Sequence, residues 1–173
     1  MNIQSDLLAG ARPLASEPRN NPLKPKYLEV LNLIERLHRR LLDVIKDDFE
    51  RHGEPEVNPV QALLLYNIAD SELTAGELKT RGHYHGSNVS YNLKKLVEAG
   101  YVHHERSATD RRSVRVRLTP KGQSVRNRVD ALYNRQMQAI EHVVGLEAGE
   151  LERINKALTR LERYWTDQIL YRL

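Results

Sequence analysis

Between Ser87 and Ala99, five residues have the types needed to read a base edge or grip a phosphate: Ser87, Asn88, Tyr91, Lys94 and Lys95. Placed on a helix at 100° per residue, they share one side, while Val89, Leu93, Leu96 and Val97 occupy the other. A carboxamide such as Asn88 can pair with adenine through two hydrogen bonds, and the Tyr91 ring can lie against a thymine methyl or give its hydroxyl to a phosphate. Ser87 suits a base edge or a phosphate. Lys94 and Lys95 suit phosphates, and Ser90 and Asn92, on the flanks, suit the nucleic-acid backbone. A helix of this kind fits the major groove of duplex DNA, with its N-terminal residues toward the bases.

A second basic cluster follows. Arg106, Arg111, Arg112, Arg115 and Arg117 lie on and between two short segments, 101–106 and 113–118, that read as strands. Val114, Val116 and Leu118 alternate with Arg115 and Arg117, the period of a half-exposed strand. The polar stretch 107–112 makes the tip of the hairpin, and an arginine there can enter a narrow minor groove. Asp110 is unsuited to a phosphate and reads as the local partner that orients Arg112.

Charge distribution agrees. The chain carries +4 overall, yet residues 79–122 hold ten lysines and arginines against Glu98, Glu105 and Asp110, a local +7 that leaves −3 elsewhere. A basic middle between neutral or acidic arms implies that one segment meets a polyanion while the arms do something else.

Other chemistry finds little support. Cysteine is absent, which excludes disulfides and thiolate metal sites. The pairs His83/His85 and His103/His104 invite a metal reading, but adjacent strand residues face opposite ways, so His103 and His104 do not share an ion easily. We expect no metal and no cofactor. No glycine-rich phosphate loop and no nucleophile turn is present, so an enzyme is not expected. Without a signal-like or membrane-length apolar run, we expect a cytoplasmic protein with no membrane partner.

The elements that must position these residues follow from periodicity and punctuation. Residues 1–24, with Pro13, Pro18 and Pro22, read as an irregular arm. From Tyr27 to about Arg51, Leu31, Ile34, Leu37, Leu41, Ile45 and Phe49 recur at helical spacing, and Leu28, Leu33, Leu42 and Val44 widen the stripe beyond one contact. Asn58-Pro59 caps a helix running to about Asp70. Thr74 and Glu77 form a capping box for a short helix to Lys79 or Thr80. The 87–99 helix is closed by Gly100, and Thr119-Pro120 opens a long helix through about Val144. Leu151, Ile154, Leu158, Leu161 and Trp165 then make a seam for helix pairing.

Asp110-Arg111-Arg112-Ser113-Val114-Arg115-Val116-Arg117-Leu118-Thr119-Pro120-Lys121-Gly122 resembles the wing signature of MarR-type winged helix-turn-helix regulators: Asp-x-Arg-Ser, alternating apolar residues, then Leu-Thr-x-x-Gly. Leu96 to Val102 resembles the turn from recognition helix to wing in that family. Residues 81–96 look most like a subgroup that regulates peptidoglycan L,D-transpeptidase genes. The resemblance implies a mainly α fold with a small β-hairpin wing and a homodimer on a pseudo-palindromic site in double-stranded DNA. It also implies a small aromatic or phenolic effector, for which His38, Arg39, Tyr66 and Tyr133 are candidate contacts. The expected organisation is an arm (1–24), an N-terminal dimerisation helix (25–57), a winged helix-turn-helix region (58–118) and C-terminal dimerisation helices (119–173). Wide apolar faces at both ends argue for the dimer independently, since a monomer would leave them in water. The competing expectation is a winged helix that serves as a protein-interaction adaptor.

Overall fold

The computed structural model describes residues 21–53, 56–68, 73–74, 76–78, 86–106 and 114–171. Helix α1 spans Leu23–Arg51, α2 Pro59–Ile68, α3 Gly86–Glu98, α4 Pro120–Ala139 and α5 Ala148–Tyr171, with strands β1 Leu73–Thr74, β2 Val102–Arg106 and β3 Val114–Leu118. The strands form one antiparallel sheet in the order β1-β3-β2. The mainly helical fold with a small β wing is thus as expected, with one correction: the hairpin is extended to a third strand. Leu73 pairs with Val116 and Thr74 with Arg115. A two-residue strand carries no period, so Leu73-Thr74 is visible in the sequence only as a helix start.

The helix starts hold as hydrogen-bonded boxes. Asn58 Oδ1 accepts from Gln61 N at 2.9 Å, and Gln61 Oε1 accepts from Asn58 N at 3.2 Å. Thr74 N donates to Glu77 Oε2 at 2.6 Å, and Glu77 N returns a bond to Thr74 Oγ1 at 3.1 Å. Each box satisfies donors that the first turn of a helix would otherwise leave bare.

Two expected boundaries move. Helix α1 begins at Leu23, inside the stretch expected to be irregular, with Asn21 Oδ1 accepting from Leu23 N at 2.9 Å. Pro25 falls in the first turn, where a missing N–H costs nothing. The expected arm is otherwise residues 1–20, which lie outside the described residues. At the other end, α4 stops at Ala139 and continues as a π-helical segment, Ile140–Val144, closed by Gly145 at φ 68°. The wider turn replaces the regular helix expected through Val144.

By compactness the chain divides at Leu41/Leu42. In the first unit no described residue is buried, and Leu23, Tyr27, Leu28, Val30, Leu33 and Leu37 are all exposed along α1. The second unit holds the core: Ile45, Phe49, Leu64, Leu65, Ile68, Leu78, Leu96, Val116 and Val129 are almost fully buried. There α2 packs on α3, α4 and β3, and α3 packs on β2. Removing a side chain such as Leu96 from water stabilises by roughly 1.5–3 kcal/mol. Helix α5 has no buried residue, and leaves Ile154, Leu158, Tyr164, Trp165 and Ile169 exposed.

Candidate nucleic-acid interface

The core sets the rotation of α3. Val89, Leu93 and Leu96 are buried, which turns Asn88, Tyr91, Lys94 and Lys95 outward. Tyr91 is 63% exposed although aromatic, so it contributes little to the core of this unit. Ser87 lies in the first turn of α3, and Ser90 is exposed on its flank. Asn92 departs from expectation. It is buried, and its Nδ2 donates to Asn88 O at 3.0 Å. Its angular position lies nearer the apolar stripe than the polar one, so its amide is spent inside the fold and does not serve a nucleic-acid backbone.

Glu98 holds both lysines. Its two carboxylate oxygens lie 3.8 Å from Lys94 Nζ and 3.5 Å from Lys95 Nζ. All three side chains are at least half exposed, so the pairs are weak and their geometry is easily exchanged for phosphate. The i+3 and i+4 spacing would have revealed this from sequence.

On the wing, β2 and β3 pair His103 with Arg117 and Glu105 with Arg115, which puts these four residues on one face of the hairpin. Arg117 also reaches Glu105 Oε1 at 3.5 Å. Arg106 ends β2 opposite Val114. His104 pairs with Val116, on the face opposite His103. Asp110, Arg111 and Arg112, the expected tip, and His83 and His85 lie outside the described residues.

Helix α3 is tied to α4 by a compact knot. Thr119 Oγ1 donates to Gly100 O at 2.7 Å and accepts from Gly122 N at 3.1 Å, while Thr119 N donates to Tyr101 O at 3.1 Å. Gly100, at φ 75°, makes the turn out of α3. A Cβ on Gly122 would lie only 2.1 Å from Tyr101 O, so only glycine lets the first turn of α4 approach this closely. Beside the knot, Tyr101 Oη donates to Glu56 Oε2 at 3.2 Å, and Lys121 Nζ lies 4.1 Å from the Tyr101 ring centre. Burial pushes the Tyr101 phenol above its ordinary pKa, and the hydrogen bond to Tyr101 raises that of Lys121.

Of the candidate effector contacts, Tyr66 and Tyr133 come together across α2 and α4, edge to face with ring centres 5.2 Å apart. His38 and Arg39 are exposed on α1, where Arg39 pairs with Glu35 at 3.6 Å. Within the second unit, the buried Asp48 accepts a 2.5 Å hydrogen bond from Arg135. Sequence reasoning missed this pair.

The arrangement is that of a DNA-binding winged helix, and comparison with known proteins agrees. Residues 57–122 match the winged helix DNA-binding domain family. The chain is 34% identical over 145 residues to ExpG, the exopolysaccharide II synthesis transcriptional activator of Rhizobium meliloti (strain 1021), covering 84% of this chain and 74% of that protein. Its fold is similar to that of a mutant MarR from E. coli complexed with operator DNA (20% identity, TM-score 0.65, 80% of this chain and 97% of that one). It is also similar to Bordetella bronchiseptica BpsR, described in a structure on the regulation of its DNA binding by 6-hydroxynicotinic acid (18% identity, TM-score 0.62, 78% and 98%).

The chain therefore belongs to the same family of transcription regulators as ExpG, carries a winged helix DNA-binding domain over residues 57–122, and shares its fold with MarR. Among the described residues, no helix is long and apolar enough to cross a membrane.

Proposed function

We propose that the protein acts as a homodimer that reads a pseudo-palindromic site in double-stranded DNA. Helix α3 enters the major groove, and Ser87, Asn88, Ser90, Tyr91, Lys94 and Lys95 make the contacts. The wing, with Arg106, Arg111, Arg112 and Arg115, meets the backbone or minor groove beside it, Asp110 orienting an arginine at the tip. One observation carries the reading: the core turns an exposed face of short polar groups, one aromatic and two lysines outward from α3.

The exposed apolar stripes of α1 and α5 support the dimer. They are too extensive to stand in water, and a two-fold axis covers each with its own copy. In this scheme 25–57 and 119–173 are dimerisation segments, and 58–118 is the reader. The protein performs no catalytic step and works in the cytoplasm. A small aromatic or phenolic effector modulates it, a reading favoured by the Tyr66–Tyr133 pair and by the regulation of DNA binding by 6-hydroxynicotinic acid in BpsR. The likeness of residues 81–96 to regulators of L,D-transpeptidase genes favours cell-envelope genes as targets.

Selection of genomic fragments on the purified protein, followed by sedimentation of the complex, tests this. We expect a two-fold symmetric motif, two chains per duplex, and binding that weakens steeply with salt. A monomeric complex, or retention of fragments without a shared motif, would favour a protein-interaction adaptor instead.

A further inference from the structure

Asn92 is a buried polar residue on α3 that the proposed contacts leave unused. It is 8% exposed, and its Nδ2 donates at 3.0 Å to the carbonyl of Asn88, one turn earlier. In a regular helix that carbonyl already receives the Asn92 N–H, so one residue sets two donors on one acceptor. A carboxamide costs free energy to bury, and an apolar side chain would suit this flank of the core at least as well. The sequence of α3 shows where such a bond is needed. Gly86-Ser87-Asn88-Val89-Ser90-Tyr91-Asn92 contains no strong helix former, whereas Leu93-Lys94-Lys95-Leu96-Val97-Glu98 is built almost wholly of them. No acidic residue supports the first turn. The weak half is also the half that carries Ser87, Asn88 and Tyr91. Among residues 88–92, only Val89 and Asn92 are buried, so these two anchor that half to the core.

We propose that Asn92 is a positioning residue for base reading: its buried carboxamide fixes the Asn88 carbonyl and so holds the weak half of α3 in shape before a duplex arrives. A bond from a side chain to the carbonyl four residues back also bends a helix locally, so it sets the aim of Asn88 as well as its order. Without it the turn must be ordered at the moment of contact, and that cost falls on the complex in which Asn88 and Tyr91 engage bases. A duplex of the wrong sequence, held through Lys94 and Lys95 on the strong half, does not bear it. The inference rests on the reading of α3 proposed above.

The test compares Asn92→Thr with Asn92→Val in the full chain. The two replacements match in helix propensity and in shape, and only threonine keeps a donor that reaches the carbonyl four residues back. Affinity is measured for the selected motif and for a scrambled duplex of the same composition, and hydrogen exchange of the Ser90 to Leu93 amides is followed without DNA. We expect the valine variant to lose about threefold to tenfold in the ratio of the two affinities, by weakening the selected motif alone, and to exchange faster at these amides. The threonine variant should stay near the parent in both. The valine variant should melt no lower than the threonine variant, because a methyl replaces a buried hydroxyl. Stability and discrimination then move apart, as they would not if Asn92 only packed. Equal ratios in the two variants overturn the proposal, as does a loss shared by both duplexes. A parent that prefers neither duplex sinks the reading of α3, and exchange then decides the clamp alone: equal rates in the two variants overturn it.

Discussion

The Thr119 hydroxyl donates to the carbonyl of Gly100 at 2.7 Å, so the residue that caps α4 also fastens the turn that ends α3. This bond and its neighbours join the start of α4 to the end of α3. Thr119→Val keeps the shape and removes both hydroxyl bonds, leaving Gly122 N and Gly100 O to find other partners. We expect a loss of about 1–3 kcal/mol in denaturant unfolding, with the m-value unchanged.

Gly122→Ala offers a sharper check because its sign is unusual. Within a helix, alanine in place of glycine ordinarily stabilises by up to about 1 kcal/mol. Here the added Cβ would meet the Tyr101 carbonyl oxygen at 2.1 Å, a backbone atom that cannot swing away. We expect destabilisation of about 2–4 kcal/mol, read as a lower melting temperature. A stabilised variant would mean that the knot is looser than described.

The Asp48–Arg135 pair should respond asymmetrically. The Asp48 side chain is nearly buried, whereas about half of Arg135 reaches water. Arg135→Ala strands a carboxylate in the interior, while Asp48→Ala leaves a guanidinium that water still serves. We expect the first to cost about 2–3 kcal/mol and the second about 1–2 kcal/mol, by unfolding at neutral pH.

How much of this was legible beforehand depended on whether the cause was local. The α3 face, the capping boxes and the alternation of β3 repeat within a few residues, so periodicity exposes them. The Leu-Thr-x-x-Gly pattern was visible too, but its reason, a contact between Gly122 and Tyr101, needs the fold. Asp48 and Arg135 stand far apart in the chain, and no spacing rule joins them. Strand β1 escaped because two residues have no period, and its pairing with Val116 and Arg115 comes from the tertiary fold. Asn92 was misplaced because its polar type suggested a flank contact, although its angular position leans toward the apolar stripe and the core takes it.

Stability should also carry an alkaline signature. The Tyr101 phenol has its pKa raised above the ordinary 10.0, chiefly by burial. The folded state thus holds its proton where the unfolded chain has released it. The contribution is complete below pH 10.0 and is lost as pH rises through the folded value. Lys121, raised as well, acts in the same direction. Unfolding free energy should therefore fall above that pH, and Tyr101→Phe should flatten the fall.

In the proposed complex, Glu98 competes with DNA for Lys94 and Lys95, which it holds in the free chain. Glu98→Gln should tighten binding to any duplex by roughly threefold to tenfold at low salt, with no change in preference between sequences. A change in sequence preference would mean that Glu98 itself meets a base.

The most direct test of the account is the ratio of affinities for the selected motif and for a scrambled duplex of the same composition, by fluorescence anisotropy at fixed salt. The Asn88→Ala, Tyr91→Ala double variant should lose most of that ratio, about tenfold or more, by weakening only the selected site. Lys94→Ala should weaken both duplexes alike and leave the ratio intact. A double variant that discriminates as well as the parent would contradict the assignment of α3 as the element that reads sequence.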